Sequence, residues 1–171
     1  MKTRIIITSM MGAALTLSSA ASAQEKITVN GNIGLVNNYV WRGMDQNSGF
    51  SVQPTLGLSY KGLALSAWGS QSLTNNADRD AQKLDLNLSY SIGGLSATLT
   101  DYWWGGLHSP YGYYKQGPAD NPVDGGHHFE ATLAYNFGDK FPLTLAWSTW
   151  FAGADLRTES GNRSYSTYIN A

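Results

Sequence analysis

The chain has 171 residues, room for one domain and little more, and 13% of them are charged, about half the ~25% usual in globular proteins. A formal net charge of −1 offers no basic face to nucleic acid, and the absence of cysteine removes disulfides, thiolate metal sites and thiol catalysis. Aromatics at 12% and 19 glycines point to a β protein whose outer surface is not turned to water.

Residues 1–23 read as a secretory signal peptide, and residues 24–171 as the mature domain. Lys2 and Arg4 give a basic start, Ile5 to Leu17 are mostly apolar, and Ala21-Ser22-Ala23 is a small-x-small cleavage site. The apolar run falls short of the ~20 residues a membrane helix needs. No later stretch reaches that length either, so an exported chain of this kind is soluble or crosses the outer membrane as a closed barrel. Periodicity has to choose between the two.

Period two dominates from the first strand onward. There Ile27, Val29, Ile33, Leu35, Tyr39 and Trp41 share one face, with Thr28, Asn30, Asn32, Asn38 and Arg42 mostly opposite; Val36 and Asn37 break the pattern. A second strand runs from Phe50 to Tyr60, where Pro54 predicts a bulge or local irregularity because it cannot donate to a ladder. Lys61-Gly62 then turns tightly into a third strand, Leu63 to Gln71. In the fourth, Leu84, Leu86, Leu88, Tyr90 and Ile92 oppose Asp85, Asn87, Ser89 and Ser91. Gly93-Gly94 is a primed hairpin turn signal leading to the fifth strand, Leu95 to Trp104. The sixth sets Phe129, Ala131, Leu133, Tyr135 and Phe137 against His128, Glu130, Thr132 and Asn136. The seventh aligns Leu143, Leu145, Trp147 and Phe151, and a weaker eighth is expected from about Arg163 to the end.

Short turns at 61–62, 93–94 and 138–142 alternate with longer polar loops at 43–49, 72–81, 105–127 and 154–162. In an up-and-down order all short turns fall at one end and all long loops at the other, the asymmetry of outer-membrane barrels. Aromatics gather at both strand ends. Tyr60, Tyr90, Tyr135, Phe137 and Phe141 lie near the short turns; Trp41, Phe50, Trp103, Trp104, Trp150 and Phe151 lie near the loops, as two interfacial belts would require. A soluble barrel or sandwich would also alternate, but its wet face normally carries Lys and Glu. Here the polar face is small and mostly uncharged, which fits a narrow lumen better. The expectation is an all-β, up-and-down antiparallel transmembrane β-barrel with seven to eight visible strands.

The segment Asn38-Tyr39-Val40-Trp41-Arg42-Gly43-Met44-Asp45-Gln46 resembles the N-terminal signature of the TorF-type porin family, also called Gcw_chp, a family of uncharacterised bacterial outer-membrane proteins. Trp68-Gly69-Ser70 and the run from Leu84-Asp85-Leu86 to Tyr90 extend the similarity. The resemblance implies an outer-membrane barrel of porin type. It also implies a C-terminally truncated chain, because family members continue past the point matching Tyr168-Ile169-Asn170-Ala171 and a terminal aromatic residue is lacking.

By parity Arg42, Asp85 and Glu130 lie on the polar face at similar depth near the loop end. They form either a charged constriction that selects solutes, or ion pairs inside a barrel filled by its own side chains, since ~8 strands leave little interior room. Asp120, Asp124, His127 and His128 suggest a metal only if the segment is loop, because adjacent strand residues point to opposite faces; no metal and no cofactor is expected. His128 and Glu130 share a face, but no Gly-x-Ser-x-Gly elbow marks a nucleophile, so the chain reads as no enzyme. Tyr111, Tyr113, Tyr114 and Lys115 give loop 105–127 the look of a recognition loop or a lid. The expected function is passive diffusion of small solutes across the outer membrane, with lipid and solutes as partners. The alternative is a small non-conducting barrel with a structural, ligand-binding or adhesive role.

Overall fold

The computed structural model describes residues 26–74, 82–105, 113–114 and 126–171. The expected signal peptide, most of loop 105–127 and most of loop 72–81 lie outside them. The described residues form one antiparallel sheet of eight strands in strict sequence order. They are β1 (Thr28–Trp41), β2 (Met44–Tyr60), β3 (Leu63–Ser72), β4 (Gln82–Ile92), β5 (Leu95–Gly105), β6 (His127–Asn136), β7 (Thr144–Gly153) and β8 (Thr167–Asn170). The sheet contains no helix and curls into a half-barrel.

The alternation sorts side chains by polarity, and it does so inside out. Ser51, Gln53, Ser70, Asp85, Ser96, Thr100, Glu130 and Ser148 are buried on the concave face. Ile33 and Leu35 on the other face are 75% and 73% exposed, whereas Glu130 is 1% exposed. Strand register lines the outward residues up in rows. One row runs Val29, Leu58, Leu65, Leu88, Leu99 across β1 to β5. A second runs Tyr60, Leu63, Tyr90, Ala97, Leu133, Trp147, Ile169 across β2 to β8. A third joins Ile92, Leu95, Tyr135 and Leu145. Below the mouth the inner face is small and polar, held by Thr100 Oγ1 donating to Asn87 at 2.8 Å, Thr132 with Ser148 at 2.8 Å and Asn136 Nδ2 donating to Thr144 at 2.8 Å.

Several local expectations change. The β1–β2 connection is a two-residue turn at Arg42-Gly43, with both φ values positive (50° and 78°), so residues 44–49 of the expected loop 43–49 belong to β2. Positive φ at both corners is the twist-matched geometry for a hairpin. Bulges between Val36 and Asn38 and between Tyr39 and Val40 then re-aim the end of β1. Tyr39 and Trp41 therefore face inward, opposite to Ile33 and Leu35, not with them. Pro54 produces no register shift. Gln53 and Pro54 drop out of the β2–β3 ladder, and pairing resumes unchanged at Thr55↔Trp68. The eighth strand starts at Thr167, later than expected, because the segment before it forms its own small loop, tied by the Arg157↔Arg163 bridge.

Gly62 and Gly138 both sit at positive φ (83° and 84°), where an L side chain costs ~1–2 kcal/mol. A Cβ at Gly62 would in addition run into the Ser91 carbonyl oxygen, while one at Gly138 would meet nothing. Gly62→Ala is therefore expected to lower the urea midpoint of the folded protein more than Gly138→Ala. Equal losses would show that the φ cost alone governs both turns.

Candidate functional site

The inner face changes character at the loop end of the strands, where every strand contributes to one layer. Arg42 is placed at the corner of the β1–β2 turn, so its side chain folds back over the mouth. Its Nη2 donates to both carboxylate oxygens of Glu130 on β6, at 2.8 and 2.6 Å. The guanidinium also lies 4.5 Å from the ring centroids of Trp41 and of Tyr168 on β8. Tyr102 on β5 donates its hydroxyl proton to Glu130 Oε1 at 2.9 Å. The buried carboxylate thus meets a cation and a neutral donor, the condition under which a charge is tolerated away from water.

Asp85 pairs elsewhere. Its Oδ2 lies 3.1 Å from Lys83 Nζ, two residues back on the same face of β4. Lys83 also donates to the Tyr39 hydroxyl oxygen at 3.0 Å. Five rings surround this ammonium: Trp104 at 4.6 Å, Trp41 and Tyr102 at 4.7 Å, Trp68 at 5.5 Å and Tyr39 at 5.8 Å to their centroids. Each such contact adds ~0.5–2 kcal/mol when desolvated.

Arg42, Asp85 and Glu130 thus reach one layer, Asp85 and Glu130 by strand parity and Arg42 from the corner of a turn, and they do so as halves of two ion pairs. Lys83, which completes the second, escaped the sequence reading although it shares the parity of Asp85. The aromatic content escaped it as well. Trp41, Trp104 and Trp150 were expected in an outer belt and lie inside, whereas Phe50 and Phe151 do face outward. Trp41 is the centre, with Trp104 at 5.3 Å, Tyr102 at 5.7 Å and Trp150 at 6.5 Å between ring centroids. Gln46 joins from β2, accepting from Trp104 Nε1 at 3.3 Å.

The two adjacent histidines diverge. His128 faces inward, packed on Trp104 at 4.9 Å and Trp150 at 4.5 Å. His127 faces outward, with Nδ1 at 2.8 Å from Asp101 and Nε2 at 2.7 Å from the Tyr113 carbonyl oxygen. Asp120 and Asp124 lie outside the described residues. Among the described residues, no three His, Asp or Glu side chains are grouped to hold a metal.

The family model for bacterial proteins of unknown function, Gcw_chp, matches residues 20–103. The matched family is Gcw_chp. The match covers just under half of the chain and takes in Tyr39, Trp41, Arg42, Lys83, Asp85 and Tyr102, but neither Glu130 nor Trp150. No curated protein and no solved structure gave a match.

The two members of the Arg42–Glu130 pair are unequal. Glu130 is fully enclosed, while the Arg42 side chain keeps 18% of its exposure. Arg42→Met is expected to cost ~3–5 kcal/mol, because it strands a buried carboxylate. Glu130→Gln leaves the partly wet cation and should cost less, and the Arg42→Met/Glu130→Gln double variant should recover much of the Arg42→Met loss. Urea unfolding measures all three; strictly additive losses would mean the pair carries no coupling.

Proposed function

We propose that this chain is the membrane-spanning wall of an outer-membrane β-barrel that provides a passive diffusion path for small solutes, with the charged aromatic layer as its constriction. The observation that carries the membrane part is the inverted polarity of the sheet. With strands ~4.8 Å apart and same-face residues ~6.8 Å apart, each outward side chain covers roughly 33 Å² of sheet. The sixteen residues of the three rows alone then cover on the order of 500 Å², against ~300–600 Å² for the largest apolar patch on a typical soluble monomer. Ile33, Leu35, Leu56 and Leu86 enlarge it further. A bilayer covers such a surface, and a sheet closed into a barrel satisfies its own backbone polar groups there.

Further support comes from the basic-apolar-small leader ending at Ala23, from the resemblance of Asn38–Gln46 to TorF-type porins, and from the connections after β3, β5 and β7, which are longer than any at the other end of the strands. The solute path rests on less: a polar inner face that narrows to one layer of charges. The packing of that same layer favours a second reading, a barrel closed by its own side chains with a structural or ligand-binding role.

Leu65→Arg, in the middle of the first apolar row, and Leu99→Arg, at its β5 end, are expected to lower stability in lipid by ~2–4 kcal/mol. Ser66→Asn, on the inner face beside Leu65, should change it little. A chain that stays monodisperse in buffer without detergent or lipid would sink the membrane reading. Conductance in a planar bilayer separates the two functions. Discrete steps whose ion preference shifts in Glu130→Gln support the diffusion path; folded, inserted and silent protein supports the closed barrel.

A further inference from the structure

On the outer face of the sheet, at the loop end, the His127 ring stands between two acceptors. Its Nδ1 lies 2.8 and 3.0 Å from the two carboxylate oxygens of Asp101 on β5, and its Nε2 lies 2.7 Å from the Tyr113 carbonyl oxygen in the β5–β6 connection. The Tyr113 ring packs on the same imidazole at 4.8 Å between centroids and on Trp103 at 5.5 Å. A backbone carbonyl oxygen can only accept, and so can an ionised carboxylate. Both contacts are hydrogen bonds at once only when both ring nitrogens carry protons, in the imidazolium form.

Removing one proton forces a choice. The carboxylate is the stronger acceptor, so the neutral ring keeps its proton on Nδ1, toward Asp101. The Nε2 lone pair then faces the Tyr113 carbonyl oxygen, and an attraction becomes a repulsion between two acceptors. Histidine makes this change between about pH 5 and pH 8. The side chains of His127 and Asp101 keep 22% and 19% of their exposure, enough for protons to reach the pair. The other titratable groups around the ring act elsewhere. Burial pushes the Tyr113 phenol above the ordinary tyrosine range, and Asp101 and Tyr114 push it the same way. His128, next on β6, points to the inner face, and Phe129, stacked on the His127 ring, carries no charge.

We propose that His127 and Asp101 form a pH-operated latch that fastens the Tyr113 backbone to the outer face in acid and lets it go as the pH rises. The contact is fully present below the titration of the imidazole and is lost through it. The latch lies on the opposite face from the charged aromatic layer, so it operates whether or not solutes pass along the inner face. The chain has no cysteine, so Tyr114→Cys carries a single spin label beside the latch, at a residue that is 94% exposed. In the folded full chain, electron paramagnetic resonance should show an immobilised component at about pH 5. Its ratio to the mobile component should fall about tenfold or more by about pH 8, the loss of one charge-assisted hydrogen bond.

His127→Phe keeps a ring and lacks both donors, so its label should be mobile at both pH values. Asp101→Asn should stay immobilised at both, because its amide can donate to Nδ1 and leave the single proton of the neutral ring on Nε2 for Tyr113. His128→Phe should respond as the parent chain does. Circular dichroism of the strands checks folding. Should His127→Phe not fold, nitrogen-15 labelling of the three histidines reads the switch directly in the parent chain: protons on both His127 nitrogens in acid, and on Nδ1 alone above. A parent label that ignores pH overturns the proposal. So does a pH response that survives in His127→Phe or is lost in His128→Phe, a parent-like response in Asp101→Asn, or a neutral His127 ring protonated on Nε2.

Discussion

Arg42 reaches from the first turn across the concave face to Glu130 on β6, and this ion pair joins parts of the sheet that no backbone ladder connects. Among the described residues β1 pairs with β2 alone and β8 with β7 alone. What brings the two ends of the half-barrel together is side-chain chemistry at the mouth: the guanidinium on Glu130, its face on Tyr168, and Trp41 against Trp150. A single guanidinium nitrogen, Nη2, holds both oxygens of Glu130, and charge assistance makes such a contact short and strong. The Arg42-Gly43 turn is what makes the reach possible, since a residue at a tight hairpin corner can fold its side chain back over the strand ends.

The second ion pair works differently. Lys83 and Asp85 are neighbours on one strand, so their pairing adds nothing to closure. Its effect is to let a lysine be buried among rings, with the ammonium meeting a carboxylate, a phenol oxygen and five aromatic faces. Long-range and local pairing thus share one layer, and the aromatic rings pack around both. Removing water from the layer strengthens each contact and raises the cost of any group left unpaired.

Much of this was legible in the chain, and the failures have physical causes. The strands could be read because period two persists wherever the inner residues are small and polar and the outer ones are large and apolar. Parity placed Asp85 and Glu130 correctly because no bulge lies between them and the clean part of their strands. It failed at Tyr39 and Trp41 because counting by twos cannot survive a register shift, and β1 has two within a few residues. The Asp45-Gln46-Asn47-Ser48 run has loop composition, and arginine at positive φ is too uncommon to suggest a turn at Arg42, so β2 was read several residues short. The inward tryptophans did leave a signal. Trp103-Trp104 and Trp150-Phe151 are adjacent aromatic pairs in strands, and such a pair must send one ring to each face.

Charge accounting ties the two halves of the chain together. Residues 20–103, which the Gcw_chp match covers, supply both cations of the layer, Arg42 and Lys83, and one anion, Asp85. Taken alone they would leave one positive charge in an enclosed aromatic setting. The remaining anion comes from Glu130, beyond the match, and the ring opposite Trp41 comes from Trp150, also beyond it. An enclosed charge without a partner is strongly unfavourable, whether the surroundings are protein or lipid. The conspicuous motif around Trp41-Arg42 therefore has its physical meaning only against β6 and β7. Placing Glu130 within reach of Arg42 is what turns two opposed charged strand ends into one neutral layer.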